Sequence, residues 1–276
     1  MRLLVAPLAA MPLEPAHDLA RLYFRLLQRL VPKLNRVARR NLALAELPQT
    51  TLTGMWDHLA RSLVLFAQLE RLNIRRWVRY EGFEHYAEAK RRGKGVLFAT
   101  AHLGNWELSA FAHAVLTEPM HVVVRPLDNP LLDRWVTAKR SATGNQIWGK
   151  KEAARAMLRA LHANEPVGIL VDQNAGLTEG VFVPFFGVPA SSNAAFAKLA
   201  WRSGAAVLPG FLVWSAEGQC YVLRFYPLLE LTGDVPTDTA RVQAAVERAI
   251  REHPDQWLWL HRRWKTRPPG EPAIYR

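Results

Sequence analysis

The sequence predicts an α/β protein: a mainly parallel central sheet flanked by helices, with a helical region ahead of it. Three observations predict this. Roughly the first ninety residues carry apolar positions at helical spacing. After Gly95, short apolar runs alternate with stretches of helical length. Three of those runs end on a polar residue: His102, Arg125 and Asp172.

In the N-terminal region, Leu19, Leu22, Leu26, Leu27 and Leu30 recur as on a helix face, beside a basic stripe of Arg21, Arg25 and Arg29. Pro32 should end or kink that helix. An apolar stripe beside a cationic one is what an interfacial helix needs, and also what an ordinary surface helix can show. Residues 96–101 read as a buried strand. Asn105 is a candidate N-cap for a helix over 106–116. Strands are expected at 121–124 and 167–171, with helices at 130–142 and 151–163 between them. Beyond come a loop over 180–190, a helix over 192–203, strands at 206–213 and 221–226, and a helix over 239–253. Strand–helix alternation implies right-handed crossovers between parallel strands, and ligands bind at the carboxyl ends of such strands. The whole chain is expected to form one domain: a basic, membrane-facing helical part over 1–90 and an α/β core over 91–276.

Charge narrows the partners. Lys plus Arg number 36 against 24 Asp plus Glu, a formal net charge of +12. Such a chain suits anionic partners: nucleic acid, an anionic membrane surface, or an acidic protein or phosphorylated substrate. Ten Trp beside many Arg fit either a membrane interface or base stacking. The single cysteine, Cys220, excludes an internal disulfide. Residues 3–13 hold two prolines and are too short to span a bilayer, which takes about 20 apolar residues; a signal-peptide core behind Arg2 is the minor reading.

The chemistry concentrates in Ala101-His-Leu-Gly-Asn-Trp-Glu107. A histidine at a strand end can accept a proton from a substrate hydroxyl if a partner holds its ring. Glu107, one helical turn on, is the expected partner. Gly104 allows a tight turn and close approach of a substrate. The segment AHLGNWE resembles the His-x4-Asp/Glu signature of lysophospholipid-type acyltransferases. With RPLDNPLLD, VDQNAG, GVFVPFFGVPAS and the closing WLWLHRRWKTRP in the same order, the chain from about Arg40 resembles the late acyltransferases of lipid A biosynthesis.

The resemblance implies a glycerolipid acyltransferase-like fold and transfer of an acyl chain from a thioester to a hydroxyl of a lipid A precursor or related glycolipid. The donor would be acyl carrier protein or acyl-CoA. His102 would be the general base and Glu107 its orienting partner. Substrate contacts would come from Arg125, Arg140, Asp172, Gly104, Asn105, Phe185 and Phe186, although structural ion pairs remain open for Arg125, Arg140 and Asp172 and simple packing for Phe185 and Phe186. No cofactor or metal is expected. Members of that family usually open with a hydrophobic anchor helix, for which residues 1–40 offer no counterpart. Peripheral attachment to the cytoplasmic face of the inner membrane, through the basic helices and the Trp-Arg tail, is therefore expected.

Other signals fail. Gly144-Asn-Gln-Ile-Trp-Gly-Lys-Lys151 is near a P-loop but lacks its Ser or Thr and an expected preceding strand, and reads as a basic loop. No Gly-x-Ser-x-Gly elbow and no zinc-ligand spacing occur. A lysophospholipid, aminolipid or other lipid acceptor is the alternative within the same chemistry. A basic nucleic-acid-binding protein is the rival class, but no nucleic-acid motif is present and no such partner is expected.

Overall fold

The computed structural model describes residues 2–275, the side chains of 2–4 and 150–152 excepted. The N-terminal third is helical: α1 (Arg2–Ala10), α2 (Leu13–Leu30), α3 (Pro32–Leu44), α4 (Thr51–Ala67) and α5 (Ile74–Trp77). Pro32 does what its ring requires. Val31 before it leaves the helical region (φ −127°, ψ 68°), α2 stops, and Pro32 starts α3 at a position where its missing N–H costs nothing. Buried Ala16 and Ala20 let α2 lie against α4.

The central part continues with β1 (Val78–Glu81), α6 (Phe83–Arg91), β2 (Val96–Thr100), α7 (Trp106–Leu116), β3 (His121–Val124), α8 (Pro130–Ser141), β4 (Gln146–Gly149), α9 (Lys150–His162) and β5 (Pro166–Leu170). Then come β6 (Gly180–Phe185), β7 (Val188–Asn193), α10 (Ala195–Ser203), β8 (Ala206–Ser215), β9 (Cys220–Phe225) and α11 (Val235–Glu252). Among the described residues the main sheet has seven strands in the order β1-β9-β8-β2-β5-β3-β4. All neighbours are parallel except β8 and β9.

β2 lies between two parallel strands and is covered on both faces, which is why its sequence is an unbroken apolar run. The side chains alternate as the pleat demands. Leu97 and Ala99 enter a layer formed with α11 and the C-terminal tryptophans, while Val96 and Phe98 enter a layer with Tyr86, Leu108 and Phe111. Leu97→Ala would cost about 2–5 kcal/mol.

Four expectations are corrected. Residues 78–81 are not helical but form the edge strand β1. Residues 146–149 are strand β4 rather than a basic loop, and the Lys150 and Lys151 side chains lie outside the described ones. Residues 180–190 form a hairpin instead of a loop: Phe186 (φ 50°) and Gly187 (φ 72°) make the two-residue turn between β6 and β7, the conformation that a tight hairpin with native twist prefers. Phe in place of the usual Asn at the first turn position hid it. The pairing of β7 also runs to Asn193, so α10 starts at Ala195 instead of 192.

Candidate active site

The turn after β2 is built by its neighbours. Gly104 has φ +63°, and a Cβ there would lie 1.9 Å from the Leu212 carbonyl oxygen. Its N–H donates to the Gln256 carbonyl at 2.9 Å, and the Asn105 N–H donates to Leu212 at 2.8 Å. The Asn105 side chain accepts from Leu108 N at 3.1 Å and caps α7, as expected. Gly104 and Asn105 are both buried. They clamp the turn onto β8 and do not line the cleft described below, so their role as substrate contacts is corrected to that of scaffold.

His102 and Asp172 come from the carboxyl ends of adjacent strands, β2 and β5. His102 Nδ1 donates to Asp172 Oδ1 at 2.9 Å, and the His102 backbone N–H donates to Oδ2, also at 2.9 Å. Trp257 Nε1 donates to the same Oδ2 at 2.8 Å. Asp172 is 2 % exposed. Burial alone would raise its pKa, but His102 and these hydrogen bonds win and hold it down to about 2. Burial likewise opposes the His102 imidazolium, yet the Asp172 charge and hydrogen bond outweigh it and raise the His102 pKa above its ordinary 6.5. A carboxylate at Nδ1 fixes the tautomer with Nε2 unprotonated. That Nε2 lies 3.4 Å from the Gln173 amide nitrogen, and the Trp106 ring stands edge-on to the imidazole at 5.2 Å between centroids.

Glu107 does not hold the imidazole, as the sequence led us to expect. Its carboxylate is taken by Arg140 of α8, which donates from Nε to Oε2 at 2.8 Å and from NH2 to Oε1 at 2.5 Å. Both Glu107 oxygens are engaged by this forked pair, and His102 Nδ1 is already held by Asp172. Asp172, expected among the substrate contacts, instead orients the histidine.

His102, Trp106, Glu107, Arg125, Arg140 and Gln173 line one cleft of about 520 Å³. Arg125 stands at its lip, exposed and weakly tied to Asp128 at 3.4 Å. Trp106, Glu107, Arg140, Val123, Val124 and Leu170 also line a second, smaller cavity of about 70 Å³ between α7 and the sheet, whose other walls include Ala110, Gly168, Ile147, Phe98, His113 and Phe225. The pair Glu107–Arg140 thus sits in the wall shared by a polar cleft and an apolar cavity.

Phe185 (0 % exposed) and Phe186 (5 %) line neither cavity. They pack on Trp257, Trp259 and Trp264, behind the site, so their expected substrate contact is corrected to core packing. The same three tryptophans are 0–1 % exposed, which removes them from any membrane interface. The tail instead braces the site. Trp257 holds Asp172, the His261 Nε2 accepts from the Asn174 N–H at 3.0 Å, and the Arg263 guanidinium, fully buried, bonds Ser191, Ser192 and Gln243. Sequence reasoning missed Trp257 and Gln173. Both lie in segments that carry the resemblance, VDQNAG and WLWLHRRWKTRP, but nothing local gives either a place in the site, and only the fold brings Trp257 onto Asp172.

With this geometry in view, the comparisons with known proteins are informative. The bacterial lipid A biosynthesis acyltransferase family model matches residues 3–266. The chain is 34 % identical over 205 residues to the lipid A biosynthesis lauroyltransferase of Escherichia coli K12, covering 73 % of this chain and 66 % of that one. It is 32 % identical over 208 residues to the palmitoleoyltransferase of the same organism, with the same coverages. A phosphatidylinositol mannoside acyltransferase of Mycobacterium tuberculosis is 29 % identical over 192 residues, 66 % of this chain and 58 % of its own. The chain therefore spans about two-thirds or less of the length of these relatives. A match of this extent, across both the helical region and the sheet, places the chain in the bacterial lipid A biosynthesis acyltransferase family.

Proposed function

We propose that the protein transfers a fatty acyl chain from an acyl thioester to a hydroxyl of a lipid A precursor or related glycolipid. One observation carries the chemistry: His102, its Nδ1–H anchored on buried Asp172, lines a polar cleft that shares a wall with an apolar cavity. The acyl chain lies toward the apolar cavity with its thioester carbonyl at the shared wall. His102 Nε2 removes the proton of the acceptor hydroxyl as that oxygen attacks the carbonyl carbon. Asp172 stabilises the imidazolium that forms. The tetrahedral oxyanion collapses, the carbon–sulfur bond breaks, and the imidazolium proton passes to the departing thiolate. Ester and thiol result, and His102 is neutral again. Arg140, held in place by Glu107, supplies positive charge at the shared wall where the oxyanion develops. Glu107 acts on the reaction through Arg140. Arg125, exposed at the lip, meets phosphate of the acceptor or the donor.

The relatives act, by name, on lipid A and on phosphatidylinositol mannoside, which supports a glycolipid acceptor. The net charge of +12 favours a strongly acidic donor such as acyl carrier protein over the smaller acyl-CoA, through steering. No described helix is long and apolar enough to cross a membrane. The reading places the protein at the cytoplasmic face of the inner membrane, where both substrates meet. Parallel incubations with acyl carrier protein and CoA thioesters, each offered a tetra-acylated lipid A precursor and a total bacterial lipid extract, test it by mass spectrometry. One acyl mass added to the precursor supports the full reading; addition only to another lipid moves the acceptor; none in any mixture refutes it.

A further inference from the structure

The transfer chemistry leaves a second cavity unused. A cleft of about 520 Å³ lies between α2, α3 and α4, far along the chain from the His102 turn. Arg21, Arg25 and Arg39 line it against a single carboxylate, Asp57, an excess of two positive charges. Asp57 is engaged by Arg21 Nε at 2.5 Å. Among the described residues neither Arg25 nor Arg39 is in an ion pair, and both are exposed. The back of the cleft is built: Trp56 Nε1 donates to Asn35 Oδ1 at 2.9 Å, and Asn35 Nδ2 donates to Gln28 Oε1 at 3.3 Å. The Phe24 and Trp56 rings, tilted at 45° with centroids 5.5 Å apart, form an apolar wall. Forked cations over an amide-lined floor are what a phosphate bearing a polar head requires.

The neighbouring face of α2 says where such a phosphate would come from. Arg21, Phe24, Arg25 and Gln28 follow i, i+3, i+4, i+7 and face the cleft. Leu22, Leu26 and Leu30 follow i, i+4, i+8 on the adjoining face, 57 %, 53 % and 71 % exposed. Among the described residues, half of the exposed large hydrophobics fall between Leu22 and Val31. Arg25, Arg29, Lys33 and Arg36 ring that stripe, all exposed. A partner that is apolar and anionic at once, on two adjoining faces of one helix, is the surface of an anionic bilayer.

We propose that the cleft between α2, α3 and α4 is a headgroup site, which takes the phosphate of an anionic lipid while the leucine stripe of α2 lies in the same bilayer. It would hold the protein on the membrane independently of the acyl-transfer site. The inference extends the lipid-acceptor reading, but vesicle binding needs no turnover, so its failure leaves the transfer chemistry standing.

The test is co-sedimentation of the full chain with vesicles of phosphatidylcholine, with and without phosphatidic acid. Binding should require phosphatidic acid. Arg25→Gln with Arg39→Gln should weaken it about 25-fold, on the basis of about five-fold per charge at an anionic surface, with an unchanged melting temperature. Leu26→Ser with Leu30→Ser should weaken it about as much. Equal binding to both vesicles, or parent-like binding by the arginine variant, overturns the proposal. Two further arms separate other sources of the same chemistry. If inorganic phosphate raises the melting temperature through Arg25 and Arg39 while no vesicle is bound, the ligand is a soluble phosphate and the lipid assignment fails. If duplex DNA binds as tightly as the anionic vesicles and loses affinity in the same variant, the surface is one for nucleic acid and the proposal fails.

Discussion

Replacing Asp172 by Asn changes one atom's chemistry in a site where three hydrogen bonds depend on it. Asp172 accepts from His102 N and Trp257 Nε1 at Oδ2 and from His102 Nδ1 at Oδ1. Asparagine has one acceptor oxygen. Two donors, fixed by backbone and by a buried indole, claim that oxygen, so the amide NH2 must face His102 Nδ1. Nδ1 then has to accept, and the ring proton moves to Nε2, the nitrogen proposed to act as base. The carboxylate charge that raises the His102 pKa is lost at the same time, and burial pushes the pKa below 6.5. A wrong tautomer of this kind lowers turnover on the order of 10⁴-fold in a serine protease triad, which corresponds to about 5 kcal/mol. Folding should suffer by only about 1–3 kcal/mol, since both Oδ2 donors stay satisfied. Single-turnover transfer with saturating donor measures the first effect, and ¹⁵N NMR of His102 reads the tautomer directly. Asp172→Asn within tenfold of the parent, or Nδ1 still protonated, would refute the reasoning. Glu107→Gln gives the contrast: Arg140 keeps one strong partner, so a milder loss of about 10–100-fold is expected, with the His102 tautomer unchanged.

Other consequences are as direct. The transfer rate should climb with pH through an apparent pKa above 6.5, because the base works neutral and Asp172 favours its charged form; a midpoint below 6.5 would count against the pair. His58 and His113 are buried, and burial lowers each to about 4. Through these two histidines alone, the unfolded chain binds up to two more protons than the folded one between pH 6.5 and 4. Stability should fall on acidification through that window by up to about 3 kcal/mol per pH unit, visible as a shrinking urea midpoint. Asp172, with its pKa lowered, contributes stability that is lost only below about pH 4, as the pH falls toward 2. Ala110→Phe should fill the apolar cavity and shift a mixed-chain competition toward shorter acyl groups, read by product mass. Gly104→Ala meets the Leu212 carbonyl at 1.9 Å and should destabilise the protein by at least about 2 kcal/mol, with transfer lost beyond what unfolding explains.

Much of the fold was legible because its signals are local. Parallel strands inside the sheet such as β2 and β3 announce themselves as short apolar runs, and Pro32 and Asn105 mark helix ends by their own chemistry. The strands missed lack those signals. β1 and β4 are four-residue strands at the sheet edges with mixed composition, and the turn between β6 and β7 uses Phe where Asn is usual. In the site, His102, Arg125 and Asp172 were expected to converge, and the structure lines one cleft with His102 and Arg125 while Asp172 backs the histidine. Which carboxylate holds His102 was not legible. That depends on β5 lying beside β2, and strand order is a property of the whole sheet. Sequence proximity favoured Glu107, whereas Arg140, arriving from α8, takes it away. The tail's tryptophans and cations looked interfacial by composition, but the cations split: Arg263 is buried with the rings and Lys265 stays outside.

The most direct measurement is transfer by the His102→Gln variant beside the parent, with acyl carrier protein thioester as donor and the tetra-acylated lipid A precursor as acceptor. Glutamine keeps a polar side chain of similar reach but cannot take the hydroxyl proton. The parent should add one acyl mass to the precursor, and a folded His102→Gln should be slower by about 10²–10⁴-fold. A folded variant that transfers at the parent's rate would contradict His102 as the base, and with it the proposed chemistry of the cleft.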